Sequence, residues 1–242
     1  MKPARLREMR PAQMRAAIEA GQPLLVPAGC VEFHGHHLAL GSDTLFAEAL
    51  CEGIAASIPA VVAPTIDYGP TGYALSGPEL GTLDCEVGAF EGYAREALRN
   101  LLEMGWRRIQ VIIHHQGMEG PEALCFRRAA ADLAFTHSRA KHGRGWWGNT
   151  PPEAQEDWSQ IHVGPSILPA AREVASGDHA GLWETSLLLH LRPELVDMAA
   201  ANEGDLWFTQ REGDRADAAT ADRGAEMFAA MVHAWAAELR RP

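Results

Sequence analysis

The chain has no run of about 18 apolar residues, so no stretch of it is long enough to cross a membrane as a helix. Its four cysteines (Cys30, Cys51, Cys85 and Cys125) stand far apart with no CxxC pair, which argues against a disulfide framework or a thiolate zinc site. Lys and Arg number 21 against 32 Asp and Glu, and the net charge of −11 makes nucleic acid and anionic membranes poor partners. There is no Ser-centred elbow and no Walker loop, so serine-hydrolase and nucleotidase readings lack support. The opening MKPARLREMRPAQMRAA lacks the apolar stretch of a signal peptide, and the expectation is a cytoplasmic protein acting on a small molecule.

What is present is ample core material. The 242 residues are 47% hydrophobic and 22% charged, which suits one sizeable domain over 1–242. Apolar residues recur at helical spacing over 11–21, 44–58, 86–104, 121–135, 179–191 and 218–240. Short apolar runs at 23–26, 60–66 and 108–113 read as buried strands, and 68–82 is a loop rich in glycine and proline. Helices and strands alternate without repeats or a linker, which predicts an α/β fold with a mainly parallel sheet. Residues 137–165, carrying KHGRGWWGNTPPEAQEDW, read as a long excursion or lid. Trp146 and Trp147 within it either stack on a substrate or anchor the lid to the core.

Three stretches carry chemistry. The first, PAGCVEFHGHHLALGSD at 27–43, follows the strand at 23–26 and holds Glu32, His34, His36, His37 and Asp43. Ligands in parallel α/β sheets bind at the carboxyl ends of strands. Imidazole nitrogen with carboxylate oxygen suits zinc, manganese or iron better than calcium. Glu32 and His34 are two apart and share a face of extended backbone, and Asp43 is able to bridge two ions. The plainer alternative is a polar loop with a helix-capping Asp43 and surface histidines. The second stretch, HHQGMEG at 114–120, follows the clearest strand; His115 and Glu119 are candidates for the remaining ligands, while His114 reads equally as a strand residue. The third, DHAGLWETS at 178–186, offers His179 as general acid or base, because an imidazole titrates near neutrality. Glu184 and Asp178 would orient it or join the metal shell, unless Asp178 only caps a helix. Cys30 sits beside the first stretch but reads as a small buried residue. His137, His142, His162, His190 and His233 read as surface or packing residues.

Taken in order, these stretches resemble the creatininase (creatinine amidohydrolase) family. PAGCVEFHGHHLALGSD is similar to the signature P-x-G-x-x-E-x-H-G-x-H-L-P-L-x-x-D, DHAGLWETS to H-A-G-x-x-E-T-S, and GPELGT at 77–82 to a P-G-T loop; the likeness runs from about residue 11 to about 235. It implies a single-domain three-layer α/β sandwich, a homo-oligomer of hexamer type, and two divalent metal ions per chain, zinc or manganese with iron also fitting. By that likeness Glu32 binds one ion, His34 the other and Asp43 bridges them; His179 is the catalytic imidazole, with Glu184 as its companion. His36 matches a position usually held by proline and is not expected to be a ligand. The family's third segment, N-G-H followed by G-G-N or x-E-N, is altered here. Aligned without a gap, Gln116 and Met118 take the ligand positions; a slight shift brings His115 and Glu119 there instead. We prefer the shift, because an amide and a thioether are poor ligands for hard divalent ions.

Leu182 and Ala39 also depart from the family pattern, which implies a divergent subgroup. The expected function is a metal-dependent hydrolase in which water activated between two ions attacks the carbonyl of a small cyclic or amide substrate. Two alternatives stand beside it. One is hydrolytic C–C ring opening of a polyhydroxylated cyclic ketone such as a dehydro-inosose, suggested by the extra imidazoles His36, His114 and His115. The other is a non-catalytic metal- or ligand-binding subunit, suggested by the altered third segment.

Overall fold

The computed structural model describes residues 2–149 and 160–240. In chain order the elements are β1 (Ala4–Arg5), α1 (Pro11–Glu19), β2 (Leu24–Ala28), α2 (Ser42–Ser57), β3 (Val61–Val62), α3 (Val87–Glu103) and β4 (Ile109–Ile113). They continue with α4 (Pro121–His142), α5 (Trp146–Asn149), β5 (Ile161–Pro165), α6 (Leu182–Leu191) and α7 (Ala221–Leu239). The strands form one parallel sheet in the order β1-β3-β2-β4-β5.

Parallel strands need crossovers, and the crossover helices cover both faces of the sheet. That is why the central strands β2 and β4 are buried at every position and are apolar apart from Gln110. Side chains still alternate between faces. Leu24, Val26, Ile109 and Val111 meet Phe90 and Leu98 of α3 and Phe126 of α4 on one side. Leu25, Val62 and Ile112 meet Phe46 of α2, Leu187 of α6 and Met231 and Trp235 of α7 on the other. The result is the three-layer sandwich with a parallel sheet that the sequence implied.

Several boundaries differ from expectation. The ladder of β3 covers only Val61–Val62, with Ile66 returning as an isolated bridge to Ala28. Pro64 lies between them and has no N–H to donate to a ladder. Helix α4 runs on to His142, and the irregular region expected over 137–165 holds the end of α4, the short α5 and the strand β5. Residues 150–159 of the expected lid lie outside the described residues. Trp146 packs edge-on against Phe135 of α4 with ring centroids 5.4 Å apart, whereas Trp147 is exposed. Trp146 therefore anchors this segment to the helix it follows.

Candidate metal centre

The centre forms where the chain leaves β2 and β4. A Cβ at Gly29 would lie 2.9 Å from Asp43 Cβ, so only glycine lets the end of β2 sit against the first turn of α2. The plainer alternative had Asp43 capping that helix; the N-cap is instead Gly41, which has no side-chain cap. The Asp43 carboxylate turns inward, and its place in the first helical turn favours its negative charge. Gly35, at φ 68, then reverses the loop in a conformation that suits glycine. His34 on one side of that turn is buried, and His36 on the other is exposed and edges against Phe33.

The buried groups converge closely. His34 Nε2 lies 3.2 Å from Asp43 Oδ1 and 3.7 Å from Glu184 Oε2. Its Nδ1 sits 3.1 Å from the Glu32 carbonyl oxygen, which only accepts, so Nδ1 carries the hydrogen and Nε2 faces the acids. His115 Nδ1 lies 2.9 Å from Asp43 Oδ2 and 3.3 Å from both Glu32 Oε1 and Cys30 Sγ. Three groups among the described residues have ligand atoms all within 4.8 Å of one another: Cys30–Glu32–Asp43–His115, His34–Asp43–Glu184 and Glu32–His34–His179. Asp43 belongs to the first two.

Helix α6 supplies the far wall. Asp178 accepts from the backbone N–H of Trp183 and Glu184, so it does cap this helix, and Glu184 accepts from Ala180 N–H at 2.8 Å. Glu184 also meets His114 Nε2 at 3.3 Å, and His114 Nδ1 is held 2.8 Å from Ser166 Oγ. His179 Nε2 lies 2.8 Å from the carbonyl oxygen of Phe33 and so donates to it, leaving Nδ1 turned towards Glu32 Oε1 at 3.7 Å. Below the site, His37 Nε2 meets Thr185 Oγ1 at 2.9 Å and ties the first loop to α6.

The electrostatics favour cations. Burial works against protonating His34, yet Asp43, Glu184 and Glu32 outweigh it and raise the imidazole to about 10. Burial likewise opposes protonation of His115, but its hydrogen bonds to Asp43, Cys30 and Glu32 drive it far upwards. Desolvation pulls Asp43 up, and the adjoining His34 and His115 hold it well below the usual carboxylate range instead. Asp178 is pushed up to about 7 by burial and then by the charge of Glu184. A field that holds protons so tightly on two imidazoles also stabilises divalent cations. The donor set is nitrogen and oxygen with one sulfur, desolvated and arranged around a shared carboxylate, and it fits two such ions.

Of the ligands expected from sequence, Glu32, His34, Asp43 and His115 are brought together. Glu119 is not: it is exposed on the cavity rim and belongs to none of the three groups. The cause lies in the backbone, since Gln116 takes φ 52 and turns the chain away immediately after His115. Gln116 itself is exposed and bonds the Pro70 carbonyl, while Met118 packs on the α3–α4 core. Glu184, expected to orient the catalytic imidazole or to join the metal shell, stands in one group with His34 and Asp43. Cys30, read from sequence as a small buried residue, is buried but also stands in one of the three groups; Glu122, not named from sequence, is fully buried and its two oxygens have no hydrogen-bond partner. A cavity of about 1020 Å³ opens over the centre, lined by His114, Gln116, Glu119, Arg172, Asp178 and His179 among others.

With this geometry in view, three comparisons bear on the chain. The family model described as creatinine amidohydrolase matches residues 7–239. The creatinine amidohydrolase of Pseudomonas putida is 28% identical over 199 residues, covering 77% of this chain and 71% of that protein. The mycofactocin precursor peptide peptidase of Mycolicibacterium smegmatis is 31% identical over 245 aligned positions, covering 90% and 84%. A solved creatininase in a Mn form superposes with TM-score 0.76 at 23% identity, covering 99% of this chain and 98% of its own, a likeness of fold.

Proposed function

This chain belongs to the creatininase family of hydrolases, and we propose that it is a divalent-metal-dependent amidohydrolase that cleaves a carbon–nitrogen bond in a small cyclic amide or a peptide. The observation that carries the reading is Asp43, buried between two sets of ligand atoms and common to both. Glu32, Asp43 and His115 would hold one ion, and His34, Asp43 and Glu184 the other. Two ions there supply Lewis acidity to the substrate carbonyl and make water more acidic.

The remaining chemistry belongs to the chain. His179 keeps its hydrogen on Nε2 through Phe33, so the basic atom of the neutral ring is Nδ1, on the side of Glu32. From there Nδ1 takes the proton of the attacking water and delivers it to the departing nitrogen. Ala180, directly after His179, is held at φ 51, a conformation that costs a non-glycine residue about 1 to 3 kcal/mol and fixes the approach of the imidazole. The cavity is open enough for either kind of substrate that its relatives' names suggest, a ring amide or a peptide bond. The inosose alternative leaned on free imidazoles. His36 points to solvent and His114 is engaged by Glu184 and Ser166, so those two do not favour it.

Elemental analysis and turnover test the reading together. The purified protein is expected to carry about two divalent ions and to hydrolyse at least one member of a panel of lactams, creatinine among them, and short peptides. Asp43→Asn is expected to lose both ions and turnover; a variant that kept two ions per chain would sink the bridging assignment.

A further inference from the structure

We infer that the two halves of the centre differ in chemistry, with Cys30 acting as a thiolate ligand that makes the Glu32–Asp43–His115 position selective for zinc, while the His34–Asp43–Glu184 position takes harder ions such as manganese. The inference rests on the proposal that the centre holds two divalent ions.

Cys30 is two residues past the end of β2 and 1% exposed. Its sulfur lies 3.3 Å from Asp43 Oδ2 and 3.3 Å from His115 Nδ1, and His115 Nδ1 lies 3.3 Å from Glu32 Oε1. Zinc binds sulfur at about 2.3 Å and nitrogen or oxygen at about 2.0 to 2.2 Å in a tetrahedron, which sets neighbouring ligand atoms about 3.3 to 3.6 Å apart. Three pairs among the four side chains stand at 3.3 Å, His115 and Asp43 stand closer at 2.9 Å, and all the ligand atoms lie within 4.8 Å of one another. The second position offers one imidazole and two carboxylates without sulfur. Thiolate is a soft ligand that selects zinc over manganese, whereas a nitrogen–oxygen set accepts both. The other cysteines are not candidates: Cys51 lies on the core face of α2, Cys85 packs against the α3–α4 side, and Cys125 donates to the Val87 carbonyl.

Coordination removes the hydrogen from each ligand atom that carries one, His115 Nδ1 and Cys30 Sγ, and the exchange at sulfur is the distinctive one. The Cys30 S–H bond breaks, a sulfur–metal bond forms, and the proton passes to solvent, so each ion entering this position releases one proton from sulfur. If Cys30 were only a small buried residue with a weak S–H bond to Asp43, metal entry would leave the thiol intact.

The test uses the full-length protein, stripped of metal and reloaded. With cobalt(II), the wild type is expected to show a near-ultraviolet sulfur-to-cobalt charge-transfer band that Cys30→Ser loses. Given equal zinc and manganese, the wild type should retain zinc in one position, and Cys30→Ser should lose that preference. Circular dichroism of Cys30→Ser and Cys30→Ala identifies which variant keeps the fold, and the metal measurements are read on that one. Cobalt bound without the band, a band that survives the substitution, or an unchanged zinc-to-manganese ratio would each overturn the inference. A protein that binds ions and hydrolyses substrate but shows no band defeats this inference alone; a protein that binds no ion defeats the proposed function with it.

Discussion

Glu122→Gln should stabilise the metal-free protein above neutral pH and leave it nearly unchanged in acid. Glu122 occupies the second position of α4, is fully buried, and has no hydrogen-bond partner on either oxygen. Burial pushes its carboxyl from 4.5 up to about 8; the charge of His115 opposes the rise, and Asp43 and Glu32 add to it. A rise of that size corresponds to about 5 kcal/mol. The first turn of α4 attracts negative charge, so about 5 kcal/mol is the upper figure for the cost of ionising it in the fold.

The sign follows from proton counts. Below pH 4.5 both folded and unfolded chains hold the Glu122 proton, and nothing is lost. Between 4.5 and about 8 the unfolded chain has released it and the folded chain has not, so stability falls as pH rises. Above about 8 both are ionised and the full cost is present. A glutamine keeps the shape and has no proton to lose. Urea unfolding with a chelator at pH 5, 7 and 9 reads the difference directly, at constant m. The stability of Glu122→Gln relative to wild type should grow by about 4 kcal/mol from pH 5 to pH 9, with about 1 kcal/mol already present at pH 5. A difference that stayed flat across that range would refute the reasoning, because it would mean that Glu122 ionises normally inside the fold.

How far the sequence could be read depends on what each residue's neighbours are. The strands β2 and β4 were legible because both of their faces are buried, which leaves runs that are apolar but for Gln110. The strand β5 was not, because it is the sheet edge and its IHVGP is only partly buried. Glu32, His34 and Asp43 were legible because they lie in one continuous stretch, where spacing and glycines carry the pattern. Glu119 misled because the direction of the turn after β4 depends on a left-handed residue at Gln116, where no glycine announces it. Cys30 was noticed but read only as a small core residue, as a buried thiol will be, and Glu122 drew no notice because an acid in a first helical turn is common for reasons of capping and dipole alone. Their significance lies in what the fold brings near them. For Cys30 that is His115, 85 positions away.

Two further substitutions probe the cavity and the layer beneath it. Arg172 is the one Lys or Arg among the described residues that line the cavity, against five carboxylates. Arg172→Ala is expected to raise KM about 3- to 10-fold for substrates carrying a carboxylate, with kcat little changed, from the loss of one partly exposed charged contact. An equal rise for neutral substrates would show that Arg172 does not read charge. Gly224 of α7 sits where the helix crosses α6, and a Cβ there would lie 2.6 Å from the Ser186 carbonyl carbon, with the oxygen nearer still. The obstacle is helix backbone, which cannot swing aside as a side chain would, so Gly224→Ala should cost about 3 kcal/mol, the upper end for overpacking. In a chain of this size that lowers Tm by about 6 to 12 °C. Glu184 is two residues from Ser186, so displacing α6 should also weaken ion binding while leaving in place the Cys30-side ligands, which lie just after β2, just after β4 and in the first turn of α2. A melting shift with both ions fully retained would show that α6 can move without carrying Glu184, and that the second ligand set is held by the loop before α6 rather than by the helix packing.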